Sequence, residues 1–149
     1  MYMIIYLDTC CYGRPYDDRS QIKIATEAAA IMAIIQTCRI VGYCIVGSMA
    51  VTSEIGEIRN VEKREEIETF FNDTIDMFFA ITAKEDARSQ ELRAKGLGEM
   101  DSLHLAVAET VGADVLLTTD APFIQTCAKK NLSGVRVINP LNFLPEVTK

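Results

Sequence analysis

The chain has 149 residues, 49% of them hydrophobic, which suits one domain with a substantial core. Its net charge of −6 argues against a protein that holds nucleic acid on a broad basic face, but it is compatible with an enzyme that uses an acidic, metal-filled cleft. No apolar run approaches the roughly 20 residues that span a bilayer, and no secretory signal pattern is visible. The five cysteines cannot all pair and show no CxxC spacing, so we expect reduced thiols in a cytoplasmic protein.

Short apolar strands alternate with amphipathic helices along the sequence. The first strand is predicted over Met3 to Leu7, followed by a turn at Gly13–Pro15 and a long helix over Ser20 to Thr37. The remaining elements are, in chain order, a strand in RIVGYCIVGS, helices from about Ser48 and over Val61 to Asn72, a strand in IDMFFAI, a helix capped by Thr82 and Glu85 and ended by Gly96, a helix in GEMDSLHLAVAETVGA, a strand in DVLLTTD, a helix over Ala121 to Lys130 and a strand in GVRVINP. This alternation predicts an α/β fold with a mainly parallel sheet, in a single domain over residues 1–149.

Four acidic residues fall where strands end or helices begin. Asp8 follows the first strand, Asp120 ends VLLTTD, Asp101 opens DSLHLAVA, and Glu54 lies in the helix after the second strand. Open parallel sheets bind ligands beyond the carboxyl ends of their strands, so the four side chains can converge on one cleft. Helix capping, the helix dipole and simple solvation are the structural explanations for Asp120, Asp101 and Glu54 respectively. Asp8 is harder to explain in this way, because an unpaired charge on a core strand is costly.

Four sequence segments together resemble the PIN-domain family, metal-dependent ribonucleases that include the VapC-type toxins of toxin–antitoxin pairs. The segments are YLDT at the start, SMAVTSEI in the second helix, EMDSLHLAVA in the middle and LLTTDAPF near the end. The closing VRVINPLNFL is similar to the family's last strand and tail. Because the segments occur in the family's order and span nearly the whole chain, the resemblance implies a three-layer α/β/α fold of the PIN type.

The resemblance also implies a site and an activity. Asp8, Glu54, Asp101 and Asp120 correspond to the family's acidic quartet, which is both catalytic and metal-binding, with Asp8 and Asp101 on the principal ion. Carboxylate oxygens are the ligands that Mg²⁺ and Mn²⁺ prefer. The implied activity is endonucleolytic hydrolysis of RNA phosphodiester bonds, with an antitoxin protein as a further partner. A homodimer is also implied, with the helices between Ser48 and Asn72 as the expected contact surface and no membrane involved.

Two departures from the family pattern bear on this site. Many members place a further acid just after the last aspartate, where this chain has Ala121, Pro122 and Phe123, and many have Asn or Ser where this chain has Cys10. The missing acid favours an alternative interpretation, a non-catalytic PIN-like module that binds RNA or a partner protein. The presence of all four core acids favours the enzyme.

Side chains near the strand ends could support the quartet. Thr9 and Thr119 are predicted to orient a ligand or a water beside the acids, whereas Thr118 is expected to belong to the strand. His104, the only histidine, is left out of the predicted catalytic set, because a histidine among apolar neighbours is more often packed and hydrogen-bonded. Arg14 could meet an RNA phosphate, but loop arginines are usually only solvated.

Asp17 and Asp18 are better explained as caps of the first long helix than as metal ligands. Phe70 and Phe71 fall in the expected dimer surface, although at least one of them is expected to fill the core.

Three other α/β classes fail on particular residues. A haloacid-dehalogenase-like phosphatase needs Asp-x-Asp after the first strand, where the third residue here is Cys10. A P-loop or dinucleotide site needs a glycine-rich turn at that point, which DTCCYG does not supply. A response-regulator receiver needs a phosphoacceptor acid at the end of a central strand, and FFAITAK has none.

Overall fold

The computed structural model describes residues 2–148, and this range contains five strands and eight α-helices. The strands are β1 (Ile4–Leu7), β2 (Cys44–Ser48), β3 (Met77–Phe79), β4 (Val115–Leu117) and β5 (Arg136–Ile138). The helices are α1 (Thr9–Gly13), α2 (Ile22–Val41), α3 (Met49–Gly56), α4 (Val61–Thr74), α5 (Ala83–Ala94), α6 (Glu99–Thr110), α7 (Ala121–Lys130) and α8 (Pro140–Val147). A 3₁₀ turn, Arg14–Tyr16, follows α1.

All five strands are parallel and lie in the order β3-β2-β1-β4-β5, which confirms the predicted α/β fold. The chain builds outward from β1 to β3 and then returns to add β4 on the other side of β1. The order therefore reverses between β1 and β4, where the Asp8 N–H donates to the Leu117 carbonyl at 2.9 Å. A crevice at such a reversal is where open parallel sheets bind ligands.

The core covers both faces of the central strands. Ile5, Tyr6 and Leu7 are at most 1% exposed, and all five residues of β2 are buried, as near-continuous apolar runs predict. Helix α2 packs on α8, α5 packs on α6, and α3 contacts both α4 and α6. A Cβ atom at Gly47 would lie 2.5 Å from the Phe71 ring, so this glycine lets α4 pack closely against β2.

Helix α2 is, within residues 2–148, the one helix that is long and apolar enough to cross a bilayer by length and composition. It is nevertheless a core helix, because Ala28, Ile31, Ile34 and Cys38 are buried in the core. The same helix carries Glu27, which is fully buried. No run of bilayer-spanning length was predicted from the sequence, because the longest apolar run, Ala28 to Ile35, is ended by Gln36.

The segment between β1 and β2 differs most from the prediction. The expected turn at Gly13–Pro15 lies within α1 and the 3₁₀ turn, and the long helix runs over Ile22–Val41 instead of Ser20 to Thr37. It continues past Thr37 through Cys38 to Val41, and it ends at Gly42, whose φ of 80° suits a left-handed cap. The predicted caps Asp17 and Asp18 are wrong, since the N-cap residue is Gln21.

Candidate active site

A cleft of about 390 Å³ lies at the carboxyl edge of the central strands, and all four predicted acids line it. Asp8 comes directly from the end of β1, Glu54 from α3, Asp101 from the first turn of α6, and Asp120 from the start of α7. The lining residues are Asp8, Thr9, Cys10, Gly13, Asp17, Glu54, Ile58, Lys63, Ile67, Asp101 and Asp120. The fold therefore brings together acids that are as much as 112 residues apart in sequence, by the difference between Asp8 and Asp120.

Asp8 is the most firmly held of the four acids, and only 6% of it is exposed. Its carboxylate accepts hydrogen bonds from the Thr9 N–H and from the Thr118 hydroxyl, each at 2.7 Å. The Thr9 bond makes Asp8 the N-cap of α1. A charge at the end of a buried strand is tolerated here because both of its oxygens have donors.

Glu54 and Asp8 are connected indirectly, because His104 and Thr9 each contact both residues. The Thr9 hydroxyl donates to Glu54 Oε1 at 2.5 Å, and His104 Nε2 lies 2.5 Å from the same oxygen and 3.2 Å from Asp8 Oδ1. Partial burial raises the pKa of Glu54, but the hydrogen bonds from His104 and Thr9 outweigh it and hold the pKa below the usual value. Glu54 is therefore a carboxylate near neutral pH.

His104 is completely buried and links the acids to the core. Its Nδ1 lies 2.6 Å from the Tyr6 hydroxyl, which lies 2.7 Å from Ser48 Oγ. Burial alone would lower the pKa of His104, but the charge of Asp8 and the hydrogen bond with Glu54 raise it above the usual value. The imidazolium fits these contacts, since both ring nitrogens can then donate, Nε2 to the carboxylates and Nδ1 to Tyr6.

The prediction that His104 is packed and hydrogen-bonded is right, yet the residue also contacts two of the four acids. Its position three residues after Asp101 places it on the same side of α6, which was the available sequence signal. Its partners are Asp8 and Glu54, however, and these contacts depend on the tertiary fold.

Asp101 carries the least compensated charge of the four. Burial, followed by the negative charges of Asp8 and Asp120, raises the pKa of Asp101 to about 6. Asp120 is better supported, because it caps α7 by accepting from the Phe123 N–H at 3.3 Å, as its sequence context predicts. Burial is thus the larger cause of the raised pKa at Asp101, and repulsion between the crowded carboxylates adds to it.

Of the three threonines near the strand ends, Thr9 lies beside the acids as predicted, whereas Thr118 and Thr119 differ from the prediction. Thr118 lies beyond the end of β4 and donates to Asp8, so its assignment to the strand is wrong. Thr9 contacts Glu54 as described above. The hydroxyl of Thr119 instead accepts from Arg14 at 2.8 Å, which leaves Thr119 beside Asp120 without a hydroxyl contact to the acids among the residues described.

One group in this cleft has the geometry to hold a metal ion. Asp8, Glu54 and His104 each offer one ligand atom, His104 only after its Nε2 has lost the proton, and these atoms all lie within 4.8 Å of one another. Asp101 and Asp120 line the same cleft but stand outside that group. Carboxylate oxygens with one imidazole fit a hard or intermediate divalent cation such as Mg²⁺ or Mn²⁺.

Comparison with known proteins decides the family. The PIN-domain family model matches residues 5–129, which is most of the sequence and includes all four acids. The chain belongs to the PIN-domain family. This confirms the resemblance drawn from the four sequence segments.

Two solved structures have the same fold as this PIN domain. The crystal structure of VapBC2 from Rickettsia felis bound to a DNA fragment from their promoter matches at 19% identity and a TM-score of 0.58, covering 92% of this chain and 98% of that one. The structure of VapBC-1 from nontypeable Haemophilus influenzae matches at 16% identity and a TM-score of 0.55, covering 93% and 98%. No curated protein matches the sequence.

The charge on Asp101 predicts how the stability of the metal-free PIN domain depends on pH. Since the folded-state pKa of about 6 lies above the unfolded value of 3.8, ionising Asp101 destabilises the fold as pH rises through this window. Asp101→Asn should therefore match the wild type near pH 4 and exceed it in free energy of unfolding above pH 7, by about 1 to 2 kcal/mol after allowing for solvent screening. Urea unfolding in EDTA across this pH range measures the difference.

Glu99→Gln is the matched control, because Glu99 is an exposed acid in the same first turn of α6. It should leave the free energy of unfolding within about 0.5 kcal/mol of the wild type at every pH. A stability difference for Asp101→Asn that does not grow between pH 4 and pH 7 would contradict the crowded-carboxylate description.

Proposed function

We propose that this PIN domain is a metal-dependent endoribonuclease that hydrolyses RNA phosphodiester bonds. The observation that carries the proposal is the convergence of Asp8, Glu54, Asp101 and Asp120 on one cleft at the reversal point of the sheet. Membership of the PIN family supports a metal-binding and catalytic role for this cleft, since the sequence segments that contain the four acids resemble those of the family's quartet.

In this proposal, Asp8 and Asp101 hold the principal Mg²⁺ or Mn²⁺, and Glu54 and Asp120 complete the site or serve a second ion. When bound, divalent cations supply an activated water and stabilise the leaving oxygen. The repulsion that raises the pKa of Asp101 favours cation binding, because a positive ion offsets the neighbouring charges.

The neighbours of the quartet would keep its oxygens oriented. Thr118 and Thr9 fix the carboxylate of Asp8, and Thr9 also fixes Glu54. Hydrogen bonds of this kind to ligating carboxylates set ligand direction and tune metal affinity. His104 holds a proton at Nε2 between Asp8 and Glu54, and this positive charge would be weakened or displaced when a cation occupies the same carboxylates.

A second function, a non-catalytic PIN-like module that binds RNA or a partner protein, is favoured by one observation. Ala121 and Pro122 occupy the first turn of α7, where many family members carry a further acid. Asp120 then supplies that corner of the cleft alone. The module differs from the enzyme in one measurable respect, since it would bind without cutting.

We further propose that the protein is the cytoplasmic toxin of a toxin–antitoxin pair and that an antitoxin covers its cleft. Support comes from the fold shared with the two VapBC structures, since VapC-type toxins are PIN-domain ribonucleases. Co-expression with an adjacent small open reading frame, followed by affinity purification, tests for this partner. A toxin that neither copurifies with such a protein nor slows growth when expressed alone would contradict the proposal.

Metal binding should stabilise the folded protein. A cation that binds only the folded state adds about 2.7 kcal/mol at a concentration one hundred times its Kd. Thermal melts in millimolar Mn²⁺ should therefore show a higher midpoint than melts in EDTA, and Asp101→Asn should lose most of the increase whereas Glu99→Gln keeps it. Equal midpoints in Mn²⁺ and EDTA for the wild type would count against a metal site.

Cleavage is the direct test of the proposed activity. The purified protein with Mg²⁺ or Mn²⁺ should cut single-stranded or looped RNA internally, leave DNA largely intact, and stop when EDTA is added. Attack by an activated water leaves a 5′-phosphate and a 3′-hydroxyl, whereas attack by the RNA 2′-hydroxyl leaves a cyclic phosphate, so end-group analysis distinguishes the two mechanisms.

Asp101→Asn should reduce this cleavage by roughly a hundredfold or more, because it removes charge from a metal ligand. Cys10→Ser should remain active, since no thiolate takes part. Cleavage that survives both EDTA and Asp101→Asn would mean a contaminating nuclease or a different mechanism. Tight binding of RNA or a partner protein without any cleavage would support the non-catalytic module.

The family resemblance also leads us to propose a homodimer. Phe71 is buried in the core, as expected for at least one of the two phenylalanines, and Phe70 is half-buried against the rings of Tyr12 and Tyr16. Multi-angle light scattering should give twice the chain mass of 16.6 kDa. A mass of one chain at all concentrations up to the millimolar range would reject the dimer.

A further inference from the structure

Lys63 is the one basic residue among the described residues that line the acidic cleft. It lies in the first turn of α4, where its N–H donates to the Asn60 cap at 3.0 Å. Its side chain is 38% exposed, and Nζ lies 3.2 Å from Asp17 Oδ1. The ammonium group is therefore beside the cleft, held at one contact and open to solvent on its other sides.

The partner of Lys63 is fixed by a chain of contacts that reaches the core. Asp17 Oδ2 accepts from Arg14 at 3.0 Å, and Arg14 Nε lies 3.2 Å from the fully buried carboxylate of Glu27 on α2, as an ion pair without hydrogen-bond geometry. Asn139, the cap of α8, donates to the other oxygen of Glu27 at 2.9 Å. An ordinary surface pair has no such anchor, so the position of Asp17, and hence of Lys63, is set by the fold.

Arg14 connects the same chain to the candidate site. Its third contact is the Thr119 hydroxyl, next to Asp120. The expectation that Arg14 is a solvated loop arginine is wrong for this reason, since its guanidinium contacts Asp17, Glu27 and Thr119. Arg14 thus connects Lys63, through Asp17, and the neighbour of Asp120, Thr119, to the same ion pair with Glu27.

We propose that Lys63 binds a backbone phosphate of the RNA strand and directs the strand along the α4 side of the cleft. The inference rests on the proposed nuclease function. A polyanionic strand entering this cleft meets carboxylates on most of the charged positions, and cations bound by the quartet would offset only those charges. Lys63 supplies the remaining attraction, and its ammonium group can bind a phosphate while it keeps Asp17, because only one of its three N–H donors is used in that contact.

The apolar residues beside Lys63 agree with this path. Ile58 precedes α4, lines the cleft and is half-buried, whereas Ile67, one turn beyond Lys63, also borders the cleft but is buried in the core. Apolar side chains next to a cation suit a nucleotide, which presents a charged phosphate and a less polar sugar and base. If Lys63 served only as a surface ion pair with Asp17, its removal would leave RNA affinity unchanged.

Lys63→Met tests the proposal through steady-state cleavage of a single-stranded RNA in Mg²⁺ at several salt concentrations. The expected result is a KM about five- to tenfold higher with kcat nearly unchanged, because a contact made equally in the ground and transition states has been removed. The slope of log(kcat/KM) against log[salt] should become shallower by about 0.7, the value for one phosphate on a single strand. Lys63→Arg should recover most of the affinity.

Lys129→Met is the matched control, because Lys129 is an exposed lysine in the last turn of α7 and its loss changes the net charge equally. Thermal melts of all variants show whether the fold is intact. Asp17→Asn distinguishes the effect of Asp17 on the position of Lys63 from the effect of its negative charge on the RNA. If Asp17 positions Lys63, this variant should bind RNA more weakly even though it removes a repelling charge, and tighter binding would overturn the positioning role.

Fluorescence anisotropy with the same RNA in Ca²⁺ keeps the two proposals distinguishable. If the wild type binds RNA without cutting it in Mg²⁺ or Mn²⁺, the nuclease proposal fails, and Lys63 is judged by the change in Kd and in salt slope. If the wild type cuts RNA while Lys63→Met has the KM and salt slope of Lys129→Met, the Lys63 proposal fails alone. If the wild type neither binds nor cuts RNA, both proposals are overturned.

Discussion

The pairing of β1 with β4 is the constraint on which the candidate site depends. The chain makes β2 and β3 on one side of β1 and then crosses to add β4 on the other side, so two distant strand ends become neighbours. The bond from the Asp8 N–H to the Leu117 carbonyl extends this pairing by one residue beyond β1. With these two ends fixed, Thr118 reaches Asp8, and the helices that follow each strand bring the other acids to the same edge.

The carboxylates at this edge of the sheet differ in how far hydrogen-bond donors compensate their negative charge. Asp8 and Glu54 both accept from hydroxyl, amide or imidazole donors, which give their oxygens defined directions. Asp101 lacks that support and holds a proton more tightly than an isolated aspartic acid would. The fold thus combines a fixed part, which orients ligands, with a part that gains most from an added positive charge.

Much of this arrangement could be predicted from the sequence because it follows from local patterns. Buried runs that end in Asp8 and Asp120 identify strand ends, and Asp101 lies in a helix first turn with good helix formers after it. Helix ends were less predictable, since α2 stops only where Gly42 permits a left-handed cap. Thr118, and not Thr119 as predicted, contacts an acid. The reason is that β4 ends at Leu117 and that side chains of consecutive residues point in alternating directions.

Contacts across the fold were beyond local patterns. His104 reaches Tyr6, and through it Ser48, over separations of 98 and 42 residues, and nothing in the flanking sequence specifies either partner. Arg14 sits in a segment that looks like a polar loop, and its role depends on an acid buried in a neighbouring helix. In both cases a polar group meets its partner only when distant elements pack together, so the contact is visible only in the folded structure.

Glu27 has a consequence for how the protein assembles. An ionised carboxylate in an apolar helix is strongly unfavourable until its partners arrive, and removing one partner of a buried ion pair typically costs about 3 to 5 kcal/mol. Packing of helix α2 in the core is therefore less favourable without these partners than packing of a wholly apolar helix would be. The helix docks stably only together with the Arg14 turn and the Asn139 cap. The contacts of Glu27 thus couple the stability of the core to the position of the cleft residues Asp17 and Lys63, which Arg14 connects to it.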